Sequence, residues 1–305
     1  MRRRSLLLSL AGWPIAQAVG EIPRGIIDTH THFYDPSRPQ GVPWPPKDNA
    51  VLYRSTLPER YTKLIEGTGI AGTIVVEASP WVEDNQWVLD LAKDNPIIVG
   101  LVGRLEPGIP DFASNLERFR KDRLFLGIRV PAKLVSERLA RPVFREDLKR
   151  LADAGLSIDL AGGTGILGDV IRLNDRIPEL RIVLDHLPYD IPADHAARSA
   201  YELSMRELHS RKTVAAKVSH VLRRKDGRVP VDLPQYRSAL DQVWDTFGSD
   251  RVLYGSNWPV SDLIAPYSSV LKVVREYFAG KGKDAGEKYF RTNSKNIYRW
   301  VKRGT

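Results

Sequence analysis

Two histidines, His30 and His32, stand one residue apart and follow an aspartate at the same spacing in Ile26-Ile27-Asp28-Thr29-His30-Thr31-His32. Alternate residues of a β-strand share a face, so a strand through this stretch points Asp28, His30 and His32 the same way. Imidazoles paired like this at a strand end converge on one metal ion or on one reacting carbonyl. Polar residues leaving a strand for a loop would give the same letters, and for a single histidine that is the better account. The pair favours chemistry. Residues able to join it lie far along the chain. Glu77, Arg129, His186, Lys217 with Ser219, and Asn257 with Trp258 each stand at the end of a short apolar run. A guanidinium fork such as Arg129 suits a carboxylate or a polarised carbonyl, and equally a salt bridge.

Gathering residues 28 to 258 around one point demands an architecture in which many strands end together. Candidate strands are Ile26–Thr29, Gly72–Ala78, Ile97–Gly103, Phe125–Val130, Leu156–Leu160, Arg181–His186, Thr213–Ser219 and Arg251–Ser256. Helical patterns lie between them at Asn85–Asp94, Asp111–Lys121, Val143–Ala154, Ala196–Arg211 and Leu233–Phe247. Eight strands alternating with helices or loops close naturally into a single (β/α)8 barrel, an α/β fold whose chemistry sits where strands end and βα-loops begin. No Pro/Ser/Gly-rich linker divides the chain, so residues 19–305 form one domain. The loop after the first strand, reaching to about Pro58, carries Pro36, Pro39, Pro43, Pro45 and Pro46 around Trp44, as a stiffened lid would. Trp44 and Trp258 offer ring faces for stacking. His195 and His209 fall in loop or helix and face solvent. His220 lies on the opposite strand face from Lys217, and its role is left open.

The bulk of the chain narrows the partners. Its 305 residues are 42% hydrophobic and 27% charged, an ordinary globular composition. Without cysteine there is no disulfide framework, thiolate metal site or cysteine nucleophile. The net charge of +9 is scattered, apart from Arg2–Arg4 and the group Arg223, Arg224, Lys225 and Arg228. No basic run is interleaved with aromatics, which argues against nucleic acid and leaves a small, anionic substrate as the expected partner. Arg2-Arg3-Arg4-Ser5, an apolar run from Leu6 to Ala11, and Ala16-Gln17-Ala18 make a twin-arginine-like export signal over residues 1–18. Cleavage near Ala18 would release a periplasmic or secreted protein; uncleaved, the chain would be cytoplasmic. No stretch supplies the ~20 apolar residues of a membrane span.

A competing motif is Gly163-Thr164-Gly165-Ile166-Leu167-Gly168, a G-x-G-x-x-G that follows a strand, opens a helix and precedes a strand bearing Asp185. That is the dinucleotide-binding context, and a nicotinamide-dependent oxidoreductase would follow from it. It would leave the four earlier strands and the strand-end histidines without a role. In a barrel the same glycines make a tight βα-loop.

Taken in order, Ile27–His32, Val183-Leu184-Asp185-His186, Ala216-Lys217-Val218-Ser219 and Gly255-Ser256-Asn257-Trp258-Pro259 resemble the amidohydrolase superfamily. They are most similar to its branch of TIM-barrel metal-dependent hydrolases that includes sugar-acid and pyrone-dicarboxylate lactonases. Gly41–Pro45 and Asn293–Tyr298 extend the resemblance over roughly Ile26 to Trp300. It implies a hydrolase opening a lactone or similar cyclic ester of a small acid. His30, His32 and His186 would hold one divalent ion such as zinc, or polarise the carbonyl without metal. Arg129, Lys217, Ser219 and Trp258 would hold the substrate. Two departures stand out. The fifth strand, Ser157-Ile158-Asp159-Leu160, lacks a histidine and the fourth offers Arg129, so a bridged two-metal centre is not expected. Asn257 occupies the place of a water-activating aspartate, and an amide orients water but cannot take its proton. Decarboxylation of an acid, or binding without turnover, are the rival readings.

Overall fold

Parallel strands and helices alternate through residues 24–303, the part described by the computed structural model. The expected export segment lies outside the described residues. The strands are β1 (Ile26–Thr31), β2 (Ile70–Val76), β3 (Ile98–Gly103), β4 (Phe125–Pro131), β5 (Ser157–Ala161), β6 (Arg181–Leu187), β7 (Val214–Val218) and β8 (Val252–Tyr254). Each overlaps one of the eight expected from sequence. They pair in sequence order as one sheet. Backbone bonds just beyond β8 join its end to β1, Asn257 N donating to His30 O and His32 N to Trp258 O, each at 2.9 Å. The result is a (β/α)8 barrel.

Strands buried on both faces read as near-continuous apolar runs, as β3 does with Ile-Val-Gly-Leu-Val-Gly. Inside the barrel Ile27, Ile74, Val76, Val102, Val183 and Leu253 pack with Tyr298 and Trp300 from the C-terminal segment. Outside lie α1 (Pro58–Leu64), α2 (Glu83–Asp94), α3 (Phe112–Phe119), α4 (Ala132–Arg138), α5 (Pro142–Asp153) and α6 (Leu167–Arg176). They are followed by α7 (His195–Ser210), α8 (Arg237–Phe247), α9 (Tyr267–Lys281), α10 (Lys283–Glu287) and α11 (Asn293–Tyr298). Apolar stripes on these helices face the sheet: Phe112, Leu116 and Phe119 of α3, and Phe144, Leu148 and Leu151 of α5, are buried. None of the helices among the described residues is long and apolar enough to cross a membrane.

The glycine motif is resolved by topology. Residues Thr164–Ile166 form one 3-10 turn leading into α6, and the preceding β5 sits between β4 and β6 in the barrel rather than starting a separate doubly wound sheet. The run is a βα-loop, and the oxidoreductase reading loses its domain.

The long loop after β1 is held at several points. Tyr34 and Thr56 exchange backbone hydrogen bonds at 3.0 and 2.9 Å. Asp35 accepts from the Ser37 and Ser55 hydroxyls at 2.7 and 2.5 Å, and Arg38 pairs with Asp84 of α2 at 2.6 Å while lying over Trp87. The loop ends where Pro58 opens α1, a position whose missing N–H would have no helical partner.

Candidate active site

The ends of β1, β6, β7 and β8 meet at one point inside the barrel mouth. His30 lies with its ring centroid 5.0 Å from that of His32 and 4.5 Å from that of His186. Strand alternation alone does not produce this. The β1–β2 register shifts between Asp28 and Thr31, and the β6–β7 register shifts between Leu184 and Leu187. The second irregularity lets the consecutive residues Asp185 and His186 both reach His30. At β8, Gly255 permits the close approach, since a Cβ there would lie 2.8 Å from His30 Cβ. His186 near the end of β6, and His220 and Asn257 just beyond β7 and β8, have φ of 65°, 52° and 59°. Left-handed backbone at residues other than glycine costs about 1–3 kcal/mol each and clusters at functional sites.

The register shift corrects the reading of Asp28. Its carboxylate faces away from the histidines, accepting from Tyr61 and Tyr267 hydroxyls of α1 and α9 at 3.0 Å and from Ser256 N at 2.8 Å. It ties β1 to β8 and to the helices. Lys217 is also reassigned. It is fully buried beneath the imidazoles, 2.6 Å from Asp159 and 3.3 Å from Asp185, and so has no surface toward a substrate. Trp258 is 1% exposed and packs on Phe33 and Tyr61 at the helix side of the wall, so it cannot stack on a ligand. Arg129 is at the mouth, but it is engaged with Asp185 at 3.0 Å and Glu77 at 3.7 Å.

The other expected residues gather. Ser219 Oγ is 3.0 Å from His186 Nδ1. Asn257 lies between two rings, its amide 3.3 Å from His32 Nε2 on one side and 3.3 Å from His220 Nδ1 on the other. Trp44 meets the His32 ring edge at 5.8 Å between centroids. His220 and Asp185 are the residues that sequence reasoning did not assign. His220 ends β7 with its ring 6.0 Å from that of His186. Asp185 was in view beside His186, but alternation places neighbours on opposite faces. His195 and His209 are exposed, as expected.

Burial dominates the electrostatics. It pushes His30 well down, His32 and His220 to about 4, and His186 to about 3, with Arg129 adding to the fall at His32 and His186 and Arg223 at His220. All four rings are neutral at neutral pH. Burial would raise Asp185, but Lys217, His30 and Arg129 outweigh it and hold the carboxyl ionised. Burial pushes Glu77 up to about 7, against the pull of Arg129 and Arg104.

The donor set fits a cation. His30, Asp185 and His186 offer ligand atoms all within 4.8 Å of one another. His30 Nε2 is buried without a partner. The Val76 carbonyl, 3.0 Å from His32 Nδ1, can only accept, so the neutral ring turns a lone pair at Nε2 toward Asn257. The amide of Asn257, whose oxygen and nitrogen exchange by a half-turn, meets that lone pair with its NH2 group and accepts from His220 Nδ1 with its oxygen. Asp185 lies with His30 and His186 in the group whose atoms are close enough to share an ion, while the third expected ligand, His32, sits beside Asn257. The fifth strand contributes Asp159, which is held by Lys217 and Tyr298.

Known proteins resemble the chain along most of its length. An L-fucono-1,5-lactonase of Burkholderia ambifaria is 31% identical over 243 residues, 78% of this chain and 81% of that protein. Another, of Burkholderia multivorans, is 27% identical over 268 residues, 82% of this chain and 88% of its own. The crystal structure of an amidohydrolase from Burkholderia multivorans with bound zinc matches with a TM-score of 0.79 at 23% identity, over 91% of this chain and 100% of that one. The amidohydrolase family model matches residues 27–300, so from the first strand to the buried Trp300 the chain belongs to the amidohydrolase family.

Proposed function

We propose that the protein hydrolyses a lactone of a sugar acid, opening the ring to the free hydroxy acid. The observation that carries this is the lone pair at His32 Nε2, fixed by Val76 and met by the Asn257 amide at 3.3 Å, beside His30 and His186. A water seated against these rings donates one proton to the His32 lone pair and is held by the Asn257 amide. Asn257 orients it, braced by His220, and His32 takes its proton as the oxygen attacks the lactone carbonyl. The same imidazolium then returns the proton to the ring oxygen as the C–O bond breaks. His32 thus serves as the base that the amide at 257 cannot be. His30, Asp185 and His186 would hold one divalent ion such as zinc, which when bound supplies Lewis acidity to the carbonyl oxygen.

Charge refines the substrate. Arg129 is already matched by Asp185 and Glu77, so the cation expected to greet a substrate carboxylate is neutralised. A polar, uncharged lactone fits better than the anionic ligand expected from net charge, in keeping with the relatives named L-fucono-1,5-lactonase. Its ring would lie against Trp44.

The test is ring opening of a panel of aldono-1,5- and 1,4-lactones, L-fucono-1,5-lactone among them, with carbon dioxide and metal content measured on the same preparation. Saturable hydrolysis, no carbon dioxide from aromatic or sugar acids, and no more than one divalent ion per chain are expected. Release of carbon dioxide without ring opening would establish the decarboxylase instead. Tight lactone binding without turnover would establish the binding protein.

A further inference from the structure

We propose that Glu77, where β2 gives way to its loop, is a specificity-determining residue: its carboxylate accepts a hydrogen bond from one ring hydroxyl of the lactone that lies against Trp44. The inference rests on the lactonase reading and adds the contact that selects among lactones.

A narrow cavity of about 20 Å3, room for one atom the size of a water oxygen, lies between the β1 loop, the end of β2 and α2. Trp44 and Glu77, both in its lining, also border the catalytic group. The Trp44 ring lies 5.8 Å from that of His32, and Glu77 Oε1 lies 3.7 Å from Arg129 Nη1. The backbone at Glu77 is fixed on both sides. Its N–H donates to Val102 O at 2.9 Å, and the preceding Val76 carbonyl is the one that accepts from His32. A hydroxyl on a ring lying against Trp44 has the size and the place to enter this cavity.

The other polar side chains of the lining are already spent. Arg38 and Asp84 pair with each other, and Asn85 holds both the N–H and the carbonyl of Arg104. The Tyr34 hydroxyl donates to Leu52 O, and Ser79 Oγ accepts from Trp81 N. Glu77 is left short of donors. Among the described residues no side chain hydrogen-bonds to its carboxylate, and 3.7 Å to Arg129 is beyond hydrogen-bond reach. Burial pushes it up to about 7 in spite of the Arg129 and Arg104 charges and a backbone hydrogen bond at Ser79. A sugar hydroxyl supplies the donor that holds such a carboxylate ionised. An anionic group would be repelled by Glu77 and a cation by Arg129; a neutral hydroxyl meets neither penalty.

The test is kcat/KM on L-fucono-1,5-lactone, or on the panel lactone opened fastest, and on its analogues lacking each ring hydroxyl in turn, for wild type, Glu77→Ala and Glu77→Gln. In the wild type one analogue should fall about 10- to 100-fold below the parent, the loss expected for one hydrogen bond to a charged group. In Glu77→Ala that ratio should shrink to near one, while the ratios for the other analogues hold. Glu77→Gln, which keeps an acceptor oxygen without the charge, should fall between. A residue that only braces Arg129 would lower every substrate by one common factor and leave all ratios as in the wild type. That result would overturn the proposal, as would a wild type indifferent to the loss of each hydroxyl. If Glu77→Ala does not fold, the Glu77→Gln ratios decide, and wild-type ratios there would overturn it. If lactones bind without turnover, the same ratios are read from dissociation constants by calorimetry. A wild type that neither opens nor binds any lactone defeats the proposed function and this inference with it, a failure distinct from unchanged ratios in an active enzyme.

Discussion

Orienting a water and accepting its proton are separate tasks, and Asn257 and His32 divide them. Asn257→Ala should lower kcat by about 10²- to 10³-fold, the usual loss for one orienting hydrogen bond in a site, while circular dichroism stays unchanged. Asn257→Asp should keep or raise activity and add an acidic limb to the pH–rate profile, because a carboxylate acts as base only when ionised. A silent Asn257→Ala would remove the eighth strand end from the site. The buried imidazoles also make folding pH-dependent. With His32 held near 4 and His186 near 3 by burial, the unfolded chain takes up protons below about pH 6.5 that the native rings refuse. Stability is therefore lost as pH falls from about 6.5 toward 4. Glu77 and Asp159, raised by burial to about 7 and 6, work in the opposite sense, as do Asp28 and Asp262, but His32, His186 and His220 lie about 2.5 to 3.5 below their unfolded value and His30 well below it, so proton uptake by the unfolded imidazoles dominates between pH 6.5 and 5. Urea midpoints of chelator-treated protein should fall between pH 7.5 and 5; a rise would contradict this. At this scale the structure brings together His30, His32, His186, Ser219 and Asn257, which stood out in the sequence as chemistry-bearing residues at the ends of apolar runs. The sequence misplaced Asp28, Lys217 and Trp258, because one shifted register and the depth of a side chain in the barrel leave no trace in residue spacing.

Among the elements, the seam between β1 and β8 holds the site in register. Asp28 accepts four hydrogen bonds there, from Ser256 N, His30 N and the hydroxyls of Tyr61 and Tyr267, all buried. Asp28→Ala leaves these donors unpartnered and should cost roughly 4 kcal/mol or more. Asp28→Asn keeps one acceptor oxygen for the two backbone N–H groups and offers its NH2 to a tyrosine oxygen. It should cost well under half as much. Urea titration of the two variants checks the difference, and equal losses would show that the seam does not depend on this carboxylate. The strands themselves were legible because burial on both faces makes each a short apolar run between turns. The helices α1, α4, α9, α10 and α11 were not marked out in advance. α1 and α4 are 7 residues each, and α9 buries Val270, Val273 and Val274 with Leu271, a β-branched pattern that reads as strand. Register shifts at the strand ends were invisible for the same reason that alternation is useful: it assumes an unbroken strand.

For the molecule as a whole, eight strands in order were enough to foresee the closed barrel, and the barrel in turn fixed where chemistry would lie. The plug of Tyr298 and Trp300 was not foreseen, since nothing in a C-terminal Tyr-Arg-Trp says that it enters the closed end. The N-terminal segment makes a separate prediction. Expression with a twin-arginine-competent host should yield a mature chain beginning near Val19 in the periplasmic fraction, read by N-terminal sequencing; an intact Met1 in the cytoplasm would refute export. The central claim is that the strand-end imidazoles carry the turnover. The most direct measurement is lactone ring opening by the double variant His30→Ala, His32→Ala beside the double variant His195→Ala, His209→Ala, with the fold of each verified by circular dichroism. The account predicts a folded but inactive first variant and a second indistinguishable from wild type. A first variant that turns over at the wild-type rate, or that fails to fold where the second folds, would contradict it.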